Sequence, residues 1–427
     1  MPKMKDSGME WIGDIPYNWE VFKLKYISKL TTGNSIADAE KYLYTDPNDS
    51  YPYISTKDIG YDGISINYEN GLYTKKMDSK FQVAEENTIL MCIEGGSAGR
   101  KIAKTNQKVS FVNKLCNFKA TEVNEQFLLY YLMSNSFKTE FGNNISGLIG
   151  GVSIGVLKNF RITLPSLEEQ QLIADFLDNK TEIINRSIEQ IDRQIDILKR
   201  YKTALIAEAV TKGIDRNVEL KDSGLTWADK ISSNWETRKL KYVFDIRKDI
   251  AGQDGLTVLS ITQQGIIPKD LESGTGQIAE SYENYQIVKK GYFAMNHMDL
   301  LTGWVDISKY DGVTSPDYRV FTIKNGFDSK FYLYILQLCY IKKIFYALGQ
   351  GSSNLGRWRL PADKFKEFKV PVPPLKQQEQ IALYLDDKCL KIDYTIQKKM
   401  QAKKKLTKFK DSLIYEYVTG KKRVEGV

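Results

Sequence analysis

At 427 residues the chain is long enough for two to four domains with proper cores. Its hydrophobic content of 42% and aromatic content of 12% mark a globular chain, and no apolar run approaches the roughly 18 residues of a membrane span. The net charge of +8 is modest and permits an anionic partner without establishing one.

The N-terminus, MPKMKDSGMEW, has no apolar h-region and is not read as a secretory signal. Cys92, Cys116, Cys339 and Cys389 are scattered, with no C-x-x-C. That spacing fits a reducing cytosol and argues against a disulfide framework or a thiolate zinc site. A cytoplasmic protein is expected.

The first segment in chain order already carries the main signal. KDSGMEWIGDIPYNWEVFKLKYI (5–27) returns as KDSGLTWADKISSNWETRKLKYV (221–243), with 13 of 23 positions identical. Unrelated segments would share roughly one or two, so a large unit is duplicated. The middles match in pattern: QVAEENTILM (82–91) with QIVKKGYFAM (286–295), and QFLLYYL (126–132) with KFYLYIL (330–336). The later segments match in sequence: LPSLEEQQLIADFLDNK (164–180) with VPPLKQQEQIALYLDDK (372–388), and ALIAEAVT (204–211) with SLIYEYVT (412–419). The ends of each repeat are most alike and the middles least. Shared ends imply a shared structural task, and divergent middles imply divergent specificity.

Each repeat opens with a β-rich part. Residues 17–163 hold short runs of Val, Ile, Phe and Tyr separated by turns at Asp62–Gly63, Asn70–Gly71 and Gly95–Gly96, with a helix predicted over 124–142. Residues 237–371 read the same way, with a helix near 329–347. Helical tails follow, opened by Pro165 and by Pro373–Pro374. In the first tail Ile184, Ile188, Ile191, Ile195, Leu198 and Leu205 follow a heptad stripe. The second tail has a weaker stripe: Ile392, Ile396, Met400, Leu406, Phe409 and Leu413. Asp178–Lys180 and Asp386–Lys388 are read as breaks that leave long helices of about 32 residues, roughly 48 Å. A stripe at this spacing is structural first, and the helices read as a spacer and docking rod. Ile184, Ile188, Ile191, Ile195, Leu198, Leu205, Ile392, Ile396, Leu406 and Leu413 are assigned to partner contact. Seven lysines within 398–410 read equally as a solvated helix face or as a nucleic-acid contact.

The fold class is therefore α+β: two tandem α/β domains, separated and followed by long helices, with a pseudo-two-fold internal repeat. The boundaries are 1–163, 164–216, 217–371 and 372–427.

Catalytic chemistry is sparse. His297 is the one histidine, so triad and histidine-metal chemistry have little to work with, and its apolar-flanked setting favours a packed or hydrogen-bonded role. GGSAGRK (95–101) lacks the gap and ending of a phosphate-binding loop. GTGQIA (274–279) fits G-x-G-x-x-A, but nothing before it reads as a strand leading to a helix. No Asn-Pro-Pro-aromatic tetrapeptide occurs.

The middles do carry basic, aromatic and amide side chains in predicted loops. Lys and Arg suit phosphates, while Arg, Asn and Gln suit base edges. The candidate DNA contacts are Lys57, Arg100, Lys101, Lys104 and Lys114 in the first repeat. In the second they are Gln263, Lys269, Trp304, Lys309, Arg319 and Arg357.

With these features the chain resembles the specificity (S) subunit of a type I restriction–modification system over essentially its whole length. The two proline-leucine-glutamine-isoleucine helix starts, the repeated SGMEWIGDIPYNWE and SGLTWADKISSNWE, and YISTKDI (53–59) and GVTSPDYRVF (312–321) carry the resemblance. It implies that each globular domain is a target recognition domain reading one half of a split site in double-stranded DNA. It implies helices packed as an antiparallel coiled coil that sets the gap. Antiparallel packing over about 48 Å would itself span on the order of 14 base pairs. It further implies two docked methyltransferase (M) subunits, with restriction (R) subunits joined through them. S-adenosylmethionine would sit in M, and ATP and magnesium in R, leaving this chain without a cofactor. The lysine-rich second tail departs from symmetry and leaves open whether both tails dock M equally. Two other readings stand beside this one: a duplicated coiled-coil adaptor that binds only protein, and an autonomous nuclease or methyltransferase.

Overall fold

A computed structural model describes residues 3–147, 150–215, 217–270, 279–351 and 358–424. The chain forms two compact units, Met1–Ile191 with Met400–Val427, and Asp192–Lys399. The helical segments form no unit of their own, since each long helix is divided between the two.

The first unit is built on a four-stranded antiparallel sheet in the order Ser28–Thr32, Leu115–Ala120, Ile89–Cys92, Ile102–Lys104. A second four-stranded sheet includes the parallel pair Ser50–Ile54 and Val109–Phe111. Helix α1 (Glu125–Met133) packs Phe127 and Tyr131 beneath the first sheet, against Trp19. The second unit repeats the antiparallel sheet as Phe244–Arg247, Arg319–Ile323, Phe293–Met295, Val305–Ile307. There the long helix α2 (Leu167–Lys212) contributes its last turns, and helix α3 (Ser329–Ile341) packs Phe331 against Trp235.

The duplicated motifs fix how each long helix starts. In α2, Gln170 is buried. Its amide donates to the Pro165 carbonyl (2.9 Å), and its oxygen accepts the Asn124 backbone N–H (2.8 Å) at the N-cap of α1. In helix α4 (Leu375–Val418), Gln378 does the same with Pro373 (2.7 Å) and the Asp328 N–H (2.9 Å). The tryptophans bond one residue earlier, Trp19 to Glu169 (3.1 Å) and Trp235 to Gln377 (2.8 Å). A buried amide is costly unless every group is paired, so these residues specify one docking geometry.

The expected breaks at Asp178 and Asp386 do not occur: α2 and α4 are continuous over 46 and 44 residues. Asp178 accepts from Gln126 (2.7 Å) and Tyr130 (2.6 Å), and Asp386 accepts from Tyr334 (2.8 Å). Both aspartates tie their helix to its neighbour instead of competing with the helix backbone.

Helix ends cross over between repeats. Val210, near the end of α2, is in the core of the second unit, where Gly213 approaches Trp235. Val418, at the end of α4, is in the core of the first unit and accepts from Thr163 (3.0 Å). Gly420 follows at φ 71°, where a Cβ would lie 2.3 Å from Pro16, so only glycine fits. Within the second unit, Lys202 pairs with Asp393 (2.6 Å) and Lys399 donates to Gln194 (2.7 Å). Rising numbers on one helix meet falling numbers on the other, so the two run antiparallel. In the first unit Lys410 donates to Asn185 (3.0 Å). Lys399 and Lys410, both in the lysine-rich run, are thus used in helix pairing.

One buried acid is expected to make the stability of the first unit depend on pH. Burial pushes the Glu140 carboxyl up to about 7, against only 3.3 Å contacts from the Arg161 N–H. The folded state therefore holds a proton that the unfolded chain releases near the ordinary carboxyl value of 4.5. Stability should fall as pH rises from about 4.5 to about 7. Glu140→Gln should flatten that limb of a thermal-unfolding profile; an unchanged profile would refute the assignment.

Candidate nucleic-acid interface

Three loops converge at one side of the first domain. The segment 55–66 is set by Asp58, which accepts the Ser55 N–H (2.9 Å), and by Asp62, which accepts the Ser65 N–H (2.8 Å). It lies along the strand Ile102–Lys104, with the Lys104 N–H donating to Gly63 (3.1 Å). The second loop, 93–101, meets it through Tyr61 and Ser97 hydroxyls 3.4 Å apart. The third, formed by residues 144–147 and 150–152, joins by Gly95 N–H to Gly150 (2.8 Å) and Val152 N–H to Ile93 (3.0 Å). Short polar caps and glycines hold these loops, leaving Lys57, Arg100, Tyr61 and Ile64 exposed.

The second domain builds the same arrangement. Thr262–Gly265 closes a hairpin turn, and Gln263 Nε2 donates to Thr302 (3.4 Å). Asp299 caps loop 296–303 by accepting the Leu301 (2.9 Å) and Thr302 (3.1 Å) N–H groups. The returning segment joins through Leu300 N–H to Trp358 (3.0 Å) and Leu360 N–H to His297 (2.9 Å). Gln263, Gln264, Leu301 and Arg359 are exposed there.

The expected DNA contacts divide accordingly. Lys57, Arg100, Lys101 and Lys114 border the first set of loops, and Gln263 the second. Lys101 Nζ donates to Thr56 (2.9 Å) beside Tyr61, and Lys114 faces Glu94 at 3.6 Å. Lys104 does not join them. Its Nζ donates to Gln126 (2.9 Å) on α1, because the loop 60–65 occupies the sheet edge it would otherwise face. Lys269 is half-buried beside the strand start Val258, and Lys309 is exposed in a turn at the far end of the hairpin from loop 296–303. Trp304 is packed 6.0 Å from Tyr340 as part of the core. Arg319 is not a loop residue reaching for a base edge. It begins a sheet strand, is 5% exposed, and shares its face with buried Phe321. Arg357 and residues 274–278 lie outside the described residues. Tyr61, Gln264 and Arg359, which belong to the same aromatic, amide and basic set in the sequence, are exposed at these loops. Exposed Ile64 was missed; its place in a turn capped by Asp62 was the available signal.

The heptad stripe also needs correction as a partner surface. Ile184, Ile195, Ile392, Ile396 and Leu413 are buried, Ile188, Leu205 and Leu406 pack against the cores, and Ile191 and Leu198 are half-buried. The antiparallel helices bury most of their stripe on each other and on the cores. Two members of the weaker second stripe, Met400 and Phe409, stay exposed; the other large exposed side chains of the helices lie off that register, Leu383 (68%), Leu390 (72%) and Tyr394 (61%) on α4 and Ile183, Ile197 and Tyr201 on α2. Leu383, Leu390 and Tyr394 are spaced by seven and four residues, so they form one row on the helix face turned away from the core.

Among the described residues no cluster of His, Cys, Asp or Glu is arranged to hold a metal, and no helix is long and apolar enough to cross a membrane. All four cysteines are free and buried.

Comparison with known proteins agrees with this architecture. The type I restriction specificity subunit MjaVIII of Methanocaldococcus jannaschii is 26% identical over 97% of this chain and 95% of its own. The EcoDI specificity subunit of Escherichia coli is 22% identical over 86% and 81%. A chain solved in work on complex assembly and conformational transition of the type I R-M system superposes with a TM-score of 0.67 at 13% identity, covering 95% of this chain and 99% of the other. Residues 16–196 and 232–406 each match the type I restriction modification DNA specificity domain, and the chain belongs to that family.

Proposed function

We propose that this chain is the DNA-reading and assembly subunit of a type I restriction–modification complex, with each domain reading one half of a bipartite site. The observation that carries this reading is the repeated three-loop constellation: one scaffold presents Lys57, Arg100 and Tyr61 in one domain and Gln263, Gln264 and Arg359 in the other. Two similar frames with different tips suit two different half-sites. The long helices serve as spacer. The outward row on α4 and the exposed Ile183 and Phe409 supply apolar surface for two M subunits, through which R subunits join. S-adenosylmethionine belongs to M, and ATP and magnesium belong to R; this chain contributes no cofactor site. The specificity subunit is non-catalytic, and its contribution is placement of the partner's active site on DNA.

The test is the salt dependence of DNA affinity for the chain assembled with its M subunits. Each neutralised phosphate releases counterions, so affinity should fall steeply with salt. Lys57→Ala with Arg100→Ala should flatten the log–log slope by up to about two units while leaving sequence preference in place. A salt-independent interaction, or a complex with no affinity for DNA, would favour the protein-only adaptor.

A further inference from the structure

The repeat lets each group in one domain be compared with its counterpart in the other, and at one spot three residues differ together. Met91 and Met295 hold the same place in their sheets, opposite Cys116 and Arg319 respectively. Two residues on come Ile93 and His297, whose carbonyls accept the Val152 N–H (3.0 Å) and the Leu360 N–H (2.9 Å). The residues before those donors are Gly151 and Arg359, bridged to Ser146 and Gln350. A neutral trio, Ile93, Cys116 and Gly151, has become His297, Arg319 and Arg359.

The replacement leaves charge uncompensated. Arg319 is 5% exposed; one guanidinium nitrogen donates to the Leu360 carbonyl (3.0 Å), and the group lies 4.8 Å from the Phe365 ring centroid. Its Nη1 is buried and has no partner, and His297 Nδ1 has none within hydrogen-bond distance, the Met295 carbonyl acting on the imidazole only weakly. No carboxylate of a described residue pairs with Arg319; Asp363 acts on it only from beyond ion-pair distance. Burial and then the arginines Arg319 and Arg359 hold the His297 pKa down to about 3, so the imidazole is neutral near pH 7. Arg359 is exposed, His297 half-buried and Arg319 buried, so the three grade from surface to interior. A buried cation without a counter-charge is strongly destabilising, and the first domain shows that the same fold is built without one.

We infer that His297, Arg319 and Arg359 form an oxyanion site for a phosphate group. The Arg319 guanidinium supplies the charge-assisted donor in the interior, Arg359 attracts the anion at the surface, and His297, as the Nδ1–H tautomer, adds a neutral donor. The site adjoins loop 296–303 and the described residues 358–360 of the candidate interface. A DNA phosphodiester is therefore one source, which rests on the DNA-reading function, and inorganic phosphate is the other, which does not.

Thermal unfolding of the full chain in sodium phosphate against sodium chloride at matched ionic strength tests the site. Phosphate should raise the unfolding temperature beyond chloride. Arg359→Gly, a surface change to the first domain's residue, should weaken the phosphate response about tenfold. Arg319→Met should abolish it, and without phosphate this variant should be at least as stable as wild type, whereas a structural arginine would leave it less stable. With M subunits present, neutral methylphosphonates scanned through the duplex give the second readout. One position that weakens wild type but not Arg319→Met identifies DNA as the source; phosphate stabilisation without such a position identifies the free anion. If neither arm responds, or Arg319→Met responds like wild type, the site is overturned. A complex that fails to bind DNA while phosphate still stabilises the chain refutes the DNA-reading function and not the site.

Discussion

Ile188→Asp together with Ile195→Asp is expected to dissolve the helix pairing, and Leu383→Asp together with Leu390→Asp is expected to leave it intact while abolishing partner assembly. Ile195 is buried and Ile188 packs against the first core. An unpaired carboxylate at each site costs several kcal/mol, against a total domain stability of about 5–15 kcal/mol. Loss of the cooperative unfolding transition, read by circular dichroism, should follow. Leu383 and Leu390 are 68% and 72% exposed, and exposed substitutions usually shift stability by no more than about 0.5 kcal/mol. The second variant should therefore melt like wild type yet run as a free chain when mixed with M subunits on size exclusion. Undiminished complex formation by that variant would remove the α4 row from the assembly surface. Normal folding of the first variant would mean that the antiparallel pairing does not hold the helices.

The contrast between the two variants shows what a sequence carries and what it does not. A heptad stripe states that a helix will bury one face; it does not state against what. Here the cover is a segment about 200 residues away in the same chain, as Lys202–Asp393 and Lys399–Gln194 demonstrate. The row that stays exposed was invisible because Leu383, Leu390 and Tyr394 fall outside the stripe. The duplicated motifs were legible for the opposite reason. Gln170 and Gln378, Trp19 and Trp235, and Asp178 and Asp386 are polar or bulky groups with specific partners, so their spacing repeats wherever the docking geometry repeats. Their role was still misread at the aspartates, because a helix-interior Asp with a tyrosine partner looks, in one dimension, like a breaker. The place of Arg319 was misread because its neighbours in sequence resemble a loop. The alternation Arg319, Phe321 was the available cue that both point inward.

The frame also explains why recognition should be exchangeable. The first domain enters and leaves through one antiparallel pair: Glu20–Lys23 lies against Arg161–Leu164, and the Leu24 N–H donates to Phe160 (2.9 Å). The second domain has the same neck in Glu236–Lys239 against Lys369–Val372, with Leu240 N–H to Phe368 (2.8 Å). Everything between those strands can change if α1 still offers the N-cap, Gln126 and Tyr130 to α2. Replacing residues 28–160 with the corresponding stretch of a related chain that keeps those anchors should alter one half-site and leave the other untouched. Affinity of the assembled complex for the original sequence should fall by about 10³ or more, the usual interval between specific and non-specific binding. Mapping methylated adenines in cells carrying the chimera reads both half-sites at once. A change in both halves would mean that the domains do not read independently. A change in neither would mean that the three loops of the first domain are not what reads DNA.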